Sequence, residues 1–151
     1  MTKILFICLG NICRSPMAEA VMKRKIAEYG LADKIQVNSA ATSSWEHGNP
    51  VHHGTQAKLR ENGIHDYTHF SRQVKSSDFT EYDWMICMDK SNLRNLKKMA
   101  PKDHHAKLEM LLSVLPEHEL QEVPDPYFTG DFEETFGLVD AACEEWIKKL
   151  S

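Results

Sequence analysis

The chain has 151 residues, 42% of them hydrophobic and 26% charged, enough to close one apolar core as a single domain over residues 1–151. A formal charge of −4 and a pI near 6.0 exclude general attraction to nucleic acid or an anionic membrane, so any basic site is local. Four cysteines are too few to staple a secreted scaffold. With no signal-peptide pattern and no apolar run long enough to span a bilayer, they point to a cytoplasmic protein with reduced thiols.

Ile4–Ile7 is a short, unbroken apolar run, as expected of a strand buried on both faces. Ser15 and Pro16 suit the N-cap and first position of a helix. Cys8-Leu9-Gly10-Asn11-Ile12-Cys13-Arg14 is then a tight loop from a strand end to a helix N-terminus, where open α/β sheets bind ligands and helix ends attract anions. Thiols placed there beside a guanidinium are thiolates near neutral pH. Backbone N–H groups from Leu9 to Arg14 can curl around phosphate oxygens, and the Arg14 fork matches two of them. Gly10 permits close backbone approach, and Asn11 tolerates a left-handed conformation. Cys8 would lie beneath the phosphorus, with the Ser15 hydroxyl donating to its sulfur.

Ala18, Val21, Met22, Ile26 and Tyr29 recur at helical spacing with Glu19, Lys23, Arg24, Lys25 and Glu28 largely between them, and Gly30 ends the helix. Ile35–Asn38 reads as a second strand, running out at Ser39. Ser43–Gly54 is a surface loop in which Trp45 is either a lid or a pocket wall. A helix around Thr55–Glu61 stops at Asn62-Gly63. His65 and His69 are four apart but in a loop, which argues against a metal pair. His52-His53 and His104-His105 read as solvated surface. Asp83–Met88 is a third strand, Asp89 caps a helix over Lys90–Met99, and Lys107–Leu112 is a fourth strand. A last amphipathic helix runs from Asp131 to Leu150, with Cys143 and Trp146 on its packed face, and Cys87 is a core residue of the third strand. Strands alternating with helices give a doubly wound parallel sheet.

Pro124-Asp125-Pro126 holds a carboxylate between two rings that restrict the backbone. Alone it could be a solvated turn. Beside a cysteine–arginine loop it is a candidate general acid, protonating a leaving oxygen and then activating water against a phosphocysteine. Tyr127 and Phe128 would line a slot deep enough for a phenyl phosphate and too deep for phosphoserine.

The Cys8–Pro16 segment resembles, almost letter for letter, the N-terminal signature of the low-molecular-weight protein tyrosine phosphatases. The resemblance continues through Ser39-Ala40-Ala41-Thr42, Gly48-Asn49-Pro50, Cys87-Met88-Asp89 and Val123-Pro124-Asp125-Pro126-Tyr127. It implies a four-stranded, flavodoxin-like parallel sheet with helices on both faces and action on tyrosine-phosphorylated proteins or peptides, with no cofactor and no metal. It further implies that Trp45 is a wall of the slot and that His69 supports the loop through Asn11, Ser15 and Ser39. Cys13 is either a small buried residue or, as the resemblance implies, the partner of oxidised Cys8 in a protective disulfide.

Three rivals compete. A phosphoarginine phosphatase is expected to carry Thr where Ile12 stands. Arsenate reductase chemistry needs closely spaced cysteines in the second half, and Cys87 and Cys143 are far apart. A non-catalytic phosphate-binding or redox module would not need Cys8, Arg14 and Asp125 together.

Overall fold

The computed structural model describes residues 1–151. Its elements in order are β1 (Thr2–Cys8), α1 (Arg14–Glu28), β2 (Ile35–Ala41), α2 (His53–Glu61), α3 (Asp78–Glu81), β3 (Trp84–Cys87), α4 (Lys90–Met99), β4 (Lys107–Met110), a 3₁₀ turn (Leu111–Val114), α5 (Pro126–Thr129) and α6 (Phe132–Leu150). All strand pairings are parallel, in the order β2-β1-β3-β4. The chain steps outward from β1 to β2 and then crosses back to β3. The carboxyl ends of β1 and β3 therefore flank the reversal point at which such sheets form a ligand crevice.

The unbroken apolar run of β1 has a direct cause. Ile4, Phe6 and Cys8 face a core built with α1 and α6, while Leu5 and Ile7 face a second core with Phe79 and Leu96. Both faces of the strand are covered, so no position alternates to polar. Trp146 closes the first core, its indole N–H donating to the Leu111 carbonyl at 2.8 Å. No helix is long and apolar enough to cross a membrane.

Several expectations need correction. Helix α1 starts at Arg14, with Cys13 as a cap residue that makes no side-chain bond. Pro16 therefore sits at the third helical position, where its missing N–H is still costless. Tertiary contacts override the polar face assigned to α1. Glu19 and Lys25 are buried, Lys25 against Asp140 at 3.0 Å, while Tyr29 turns out to solvent and bonds Glu144. Gly30 does end the helix, at φ +69°. The third and fourth strands are shorter than their apolar runs, and α3 and α5 are single turns with too few residues for periodicity to register. His52 is half-buried rather than solvated: its Nδ1 caps α2 by accepting from the Gly54 N–H, and its ring stacks on Phe132.

Candidate active site

Cys8 is the last residue of β1, and the loop that follows is held from outside by its carbonyls. The Cys8 carbonyl accepts from the Thr42 N–H, Leu9 from Ser43, Gly10 from the Ser71 hydroxyl, Ile12 from the His52 N–H, and Cys13 from the Thr55 hydroxyl. With those carbonyls turned outward, the N–H groups turn inward. The N–H of Asn11 donates to the Cys8 sulfur at 3.2 Å, and those of Gly10, Ile12, Cys13 and Arg14 donate to no acceptor in the chain. That leaves a concave set of donors over a sulfur, at the N-terminus of a 15-residue helix. Gly10 also lies close to Glu46: a Cβ there would come within 3.3 Å of that side chain, which would have to shift by a few tenths of an ångström.

Asn11 is the only non-glycine residue with positive φ, at 58°, and its fully buried amide organises the loop. Its Nδ2 donates to Ser15 Oγ at 2.8 Å and to Ser39 Oγ at 3.0 Å. Its Oδ1 accepts from His69 Nε2 at 2.7 Å and from the Arg72 N–H at 3.3 Å. Because an amide oxygen only accepts, His69 carries its proton on Nε2. Ser15 Oγ, already accepting from Asn11, has its own hydrogen free for Cys8 Sγ at 3.0 Å. Ser39 in turn donates to Glu19 at 2.7 Å, and Glu19 pairs with Lys23 at 2.7 Å. His69 thus touches Asn11 and, at 3.3 Å, Ser39, and it reaches Ser15 only through Asn11. Burial lowers the pKa of its ring, with Glu19 opposing.

Arg14 is 2% exposed. Its Nη1 spends both hydrogens, on Asp89 Oδ2 at 2.7 Å and the Val123 carbonyl at 2.9 Å, and its Nη2 reaches Asp125 Oδ2 at 3.4 Å. Burial works against its charge, but Cys8, Asp125 and Asp89 outweigh it, and the pKa is raised. Asp125 is itself oriented by capping α5, with Oδ1 accepting from the Tyr127 N–H at 3.1 Å. Burial first, and then the neighbouring Cys8, push the Cys13 thiol up to about 12.

Cys8, Leu9, Gly10, Asn11, Ile12, Cys13, Arg14, Trp45, Glu46, Asp125, Tyr127 and Phe128 line one cavity. Trp45, Tyr127 and Phe128 are three of the six large hydrophobic side chains that the chain leaves exposed, at 77%, 56% and 77%. Trp45 lines this cavity and is exposed at its mouth. The expected loop, acid and wall residues are therefore brought together in one place, with Ser15, Ser39 and His69 immediately behind the loop.

The chain matches the model of the family described as low molecular weight phosphotyrosine protein phosphatase over residues 3–151. The chain belongs to this family. It is 42% identical over 150 residues to the low molecular weight protein-tyrosine-phosphatase YfkJ of Bacillus subtilis, an alignment covering 99% of this chain and 96% of that one. A protein tyrosine phosphatase from Entamoeba histolytica superposes with a TM-score of 0.92 at 36% identity, covering 99% of this chain and 97% of the other. A drosophila arginine phosphatase superposes with a TM-score of 0.92 at 32% identity, covering 98% and 97%. Membership makes the chain a hydrolase, a phosphatase on a flavodoxin-like α/β sheet.

Some residues behind the family's loop escape sequence reasoning. By pattern Asp89 is only a helix cap, which it is, with Oδ1 accepting from the Asn92 N–H. Its other oxygen grips Arg14. The available signal was its position, an acid at the end of the strand next to β1. Glu19 was hidden by a helical pattern that put it among solvated residues. Glu46, Ser71 and Thr55 carry no local signal for their contacts.

Proposed function

We propose that the chain hydrolyses phosphotyrosine in proteins or peptides through a phosphocysteine, with Cys8 as nucleophile. The observation that carries this is the convergence at one cavity of a sulfur, inward N–H groups, a buried guanidinium and a carboxylate, beneath an aromatic rim. In the first step the Cys8 thiolate attacks phosphorus, the bond from phosphorus to the tyrosine oxygen breaks, and Asp125 gives that oxygen its proton. The three remaining phosphate oxygens meet the loop N–H groups and the Arg14 edge formed by Nε and the second Nη2 hydrogen, which no protein group occupies. In the second step Asp125 takes a proton from water, the water oxygen attacks phosphorus, the S–P bond breaks, and phosphate leaves with the thiolate restored. Positive charge comes from Arg14 and the helix end, so the cycle needs no metal.

The rim supports an aromatic substrate: Trp45, Tyr127 and Phe128 are exposed and would be covered by a phenyl ring, whereas a serine phosphate reaching Cys8 would leave them in water. Ile12, partly exposed on the cavity wall, presents an apolar side chain and offers a phosphoarginine guanidinium no hydroxyl. Four unpaired cysteines support a cytoplasmic setting, and the neighbouring thiols Cys8 and Cys13 support a reversible disulfide as protection against oxidation. The test is hydrolysis of matched phosphotyrosine, phosphoserine and phosphoarginine peptides in the presence of a chelator. Preference for phosphotyrosine is expected. Preference for phosphoarginine would move the assignment to that class, and dependence on added metal would contradict the mechanism.

A further inference from the structure

Helix α4 carries a charge pattern that catalysis does not use. Its ten residues include Lys90, Arg94, Lys97 and Lys98 and no acid. The spacing puts all four on one side of the helix, and all four are exposed. None takes part in an ion pair, whereas Lys23 and Lys25 of α1 and Lys58 of α2 each do. Leu93 lies between them in a shallow concavity. In a chain of net charge −4 this concentration does not follow from composition.

Helix stability does not explain it either. Lys97 and Lys98 suit the negative end of the helix dipole, but Lys90 stands at the positive end, where acids are favoured. Lys90 with Arg94, and Arg94 with Lys98, are like charges one turn apart, an arrangement that weakens a helix.

The position of the stripe supplies a reason. Asp89, which grips Arg14, is the cap residue of α4, so the helix begins at the catalytic edge. From Lys90 to Lys98 it spans about 12 Å, a distance an extended peptide covers in about four residues. Between the cavity and the stripe lies a groove bordered by Asp89, Glu119, Glu122 and Asp125, with Glu122 accepting from the Lys90 backbone N–H at 2.9 Å. The surface is thus acidic next to the mouth and basic beyond it.

We propose that the Lys90–Arg94–Lys97–Lys98 face docks an acidic segment of the phosphoprotein substrate while the phosphorylated residue occupies the Cys8 loop. This rests on the phosphatase reading above. The partner is a polypeptide because the stripe is narrow, starts beside the active site and can act as a tether that raises local substrate concentration. A lipid surface would find one half-buried leucine here and a net acidic protein around it.

The experiment uses pairs of phosphotyrosine peptides with the same core and neutral spacers of graded length, ending in either a Glu/Asp or a Gln/Asn tail of about four residues. Parent and the variant Lys90→Gln/Arg94→Gln/Lys97→Gln/Lys98→Gln are compared on both tails, and on p-nitrophenyl phosphate. Exposed ion pairs are individually weak, so the parent should favour the acidic tail by about tenfold, through KM. That preference should vanish at about 1 M salt, where the screening length is about 3 Å. The variant should show no preference and should still hydrolyse p-nitrophenyl phosphate like the parent, which also shows that it folds. Equal use of both tails by the parent, or a preference that survives in the variant, would overturn the proposal, and so would binding of the parent to phosphatidylserine vesicles without tail preference. Failure of the parent on p-nitrophenyl phosphate would instead overturn the catalytic reading beneath it. The double variant Lys97→Gln/Lys98→Gln should lose part of the preference, and loss of none would remove the far end of the stripe from the site.

Discussion

Asn11→Ala is the perturbation whose size the structure defines best. The amide makes four hydrogen bonds, to Ser15, Ser39, His69 and the Arg72 N–H, in a fully buried setting. Two of those partners can compensate: Ser15 keeps Cys8, and the His69 Nε2–H can turn to Ser39, already 3.3 Å away. The Arg72 N–H cannot, and a buried group left unpaired costs about 1–3 kcal/mol. Alanine at φ +58° adds about 1–2 kcal/mol that asparagine largely avoids. The expected loss is about 2–5 kcal/mol, a large share of the roughly 5–15 kcal/mol available to a domain. Asn11→Gly loses the same bonds without the backbone strain and should be the more stable of the two. Urea denaturation of parent and both variants, compared at equal slope, measures this. The kcat of each variant should fall about 10²-fold, since the loop N–H groups lose their alignment. An Asn11→Ala protein within about 1 kcal/mol of the parent would refute the view that this amide holds the loop.

Asp125→Ala should slow phosphoenzyme formation by about 10²–10⁴-fold with phenyl phosphate and less with nitrophenyl phosphate, whose phenolate needs little protonation; single-turnover rates across phenols of graded acidity check this, and parallel dependences would reduce Asp125 to a turn residue. Under peroxide the parent should lose activity and regain it with a dithiol, while Cys13→Ser should recover much less; equal recovery would return Cys13 to the role of a buried small residue. Burial and the adjacent His53 lower the His52 pKa, and its Nδ1 must stay unprotonated to cap α2, so the unfolded chain takes up this proton first and stability falls as pH drops below about 6.5. His52→Asn keeps a cap without titrating, so its melting temperature should fall less than the parent's between about pH 7 and 5, and identical slopes would contradict the assignment.

The parts of this architecture legible in the sequence are those that local physics dictates. Ile4–Ile7 could only be a strand covered on both faces, and a glycine, an asparagine and a proline in the right places define a loop entering a helix. The pairing of Asp125 with Cys8 was legible from chemistry, because a thiolate attacking a phosphate ester needs an acid for the leaving group. The failures share one cause. Glu19 and Lys25 sit at helical positions that would be solvated on an isolated amphipathic helix, and become buried because α6 and the loop through His69 cover that side of α1. Ser15 suits an N-cap by pattern but is the second residue of α1; its hydroxyl goes to Cys8 as the loop chemistry requires, while the Asn11 amide that donates to it has no local signal. Asp89 and Arg14 are separated by 75 residues and meet only because β1 and β3 are neighbours. His52 is solvated by pattern and half-buried in fact because Phe132, far along the chain, stacks on it.

The central claim is that phosphate passes through the Cys8 sulfur, and trapping that intermediate tests it most directly. Parent enzyme mixed with a phosphotyrosine peptide, quenched in acid within one turnover and digested, should yield a single phosphorylated peptide carrying the mass of phosphate on Cys8. The Cys8→Ser variant should yield none and turn over nothing, while still binding inorganic phosphate through the loop N–H groups and Arg14. Phosphate on any other residue, or full activity without Cys8, would contradict the account.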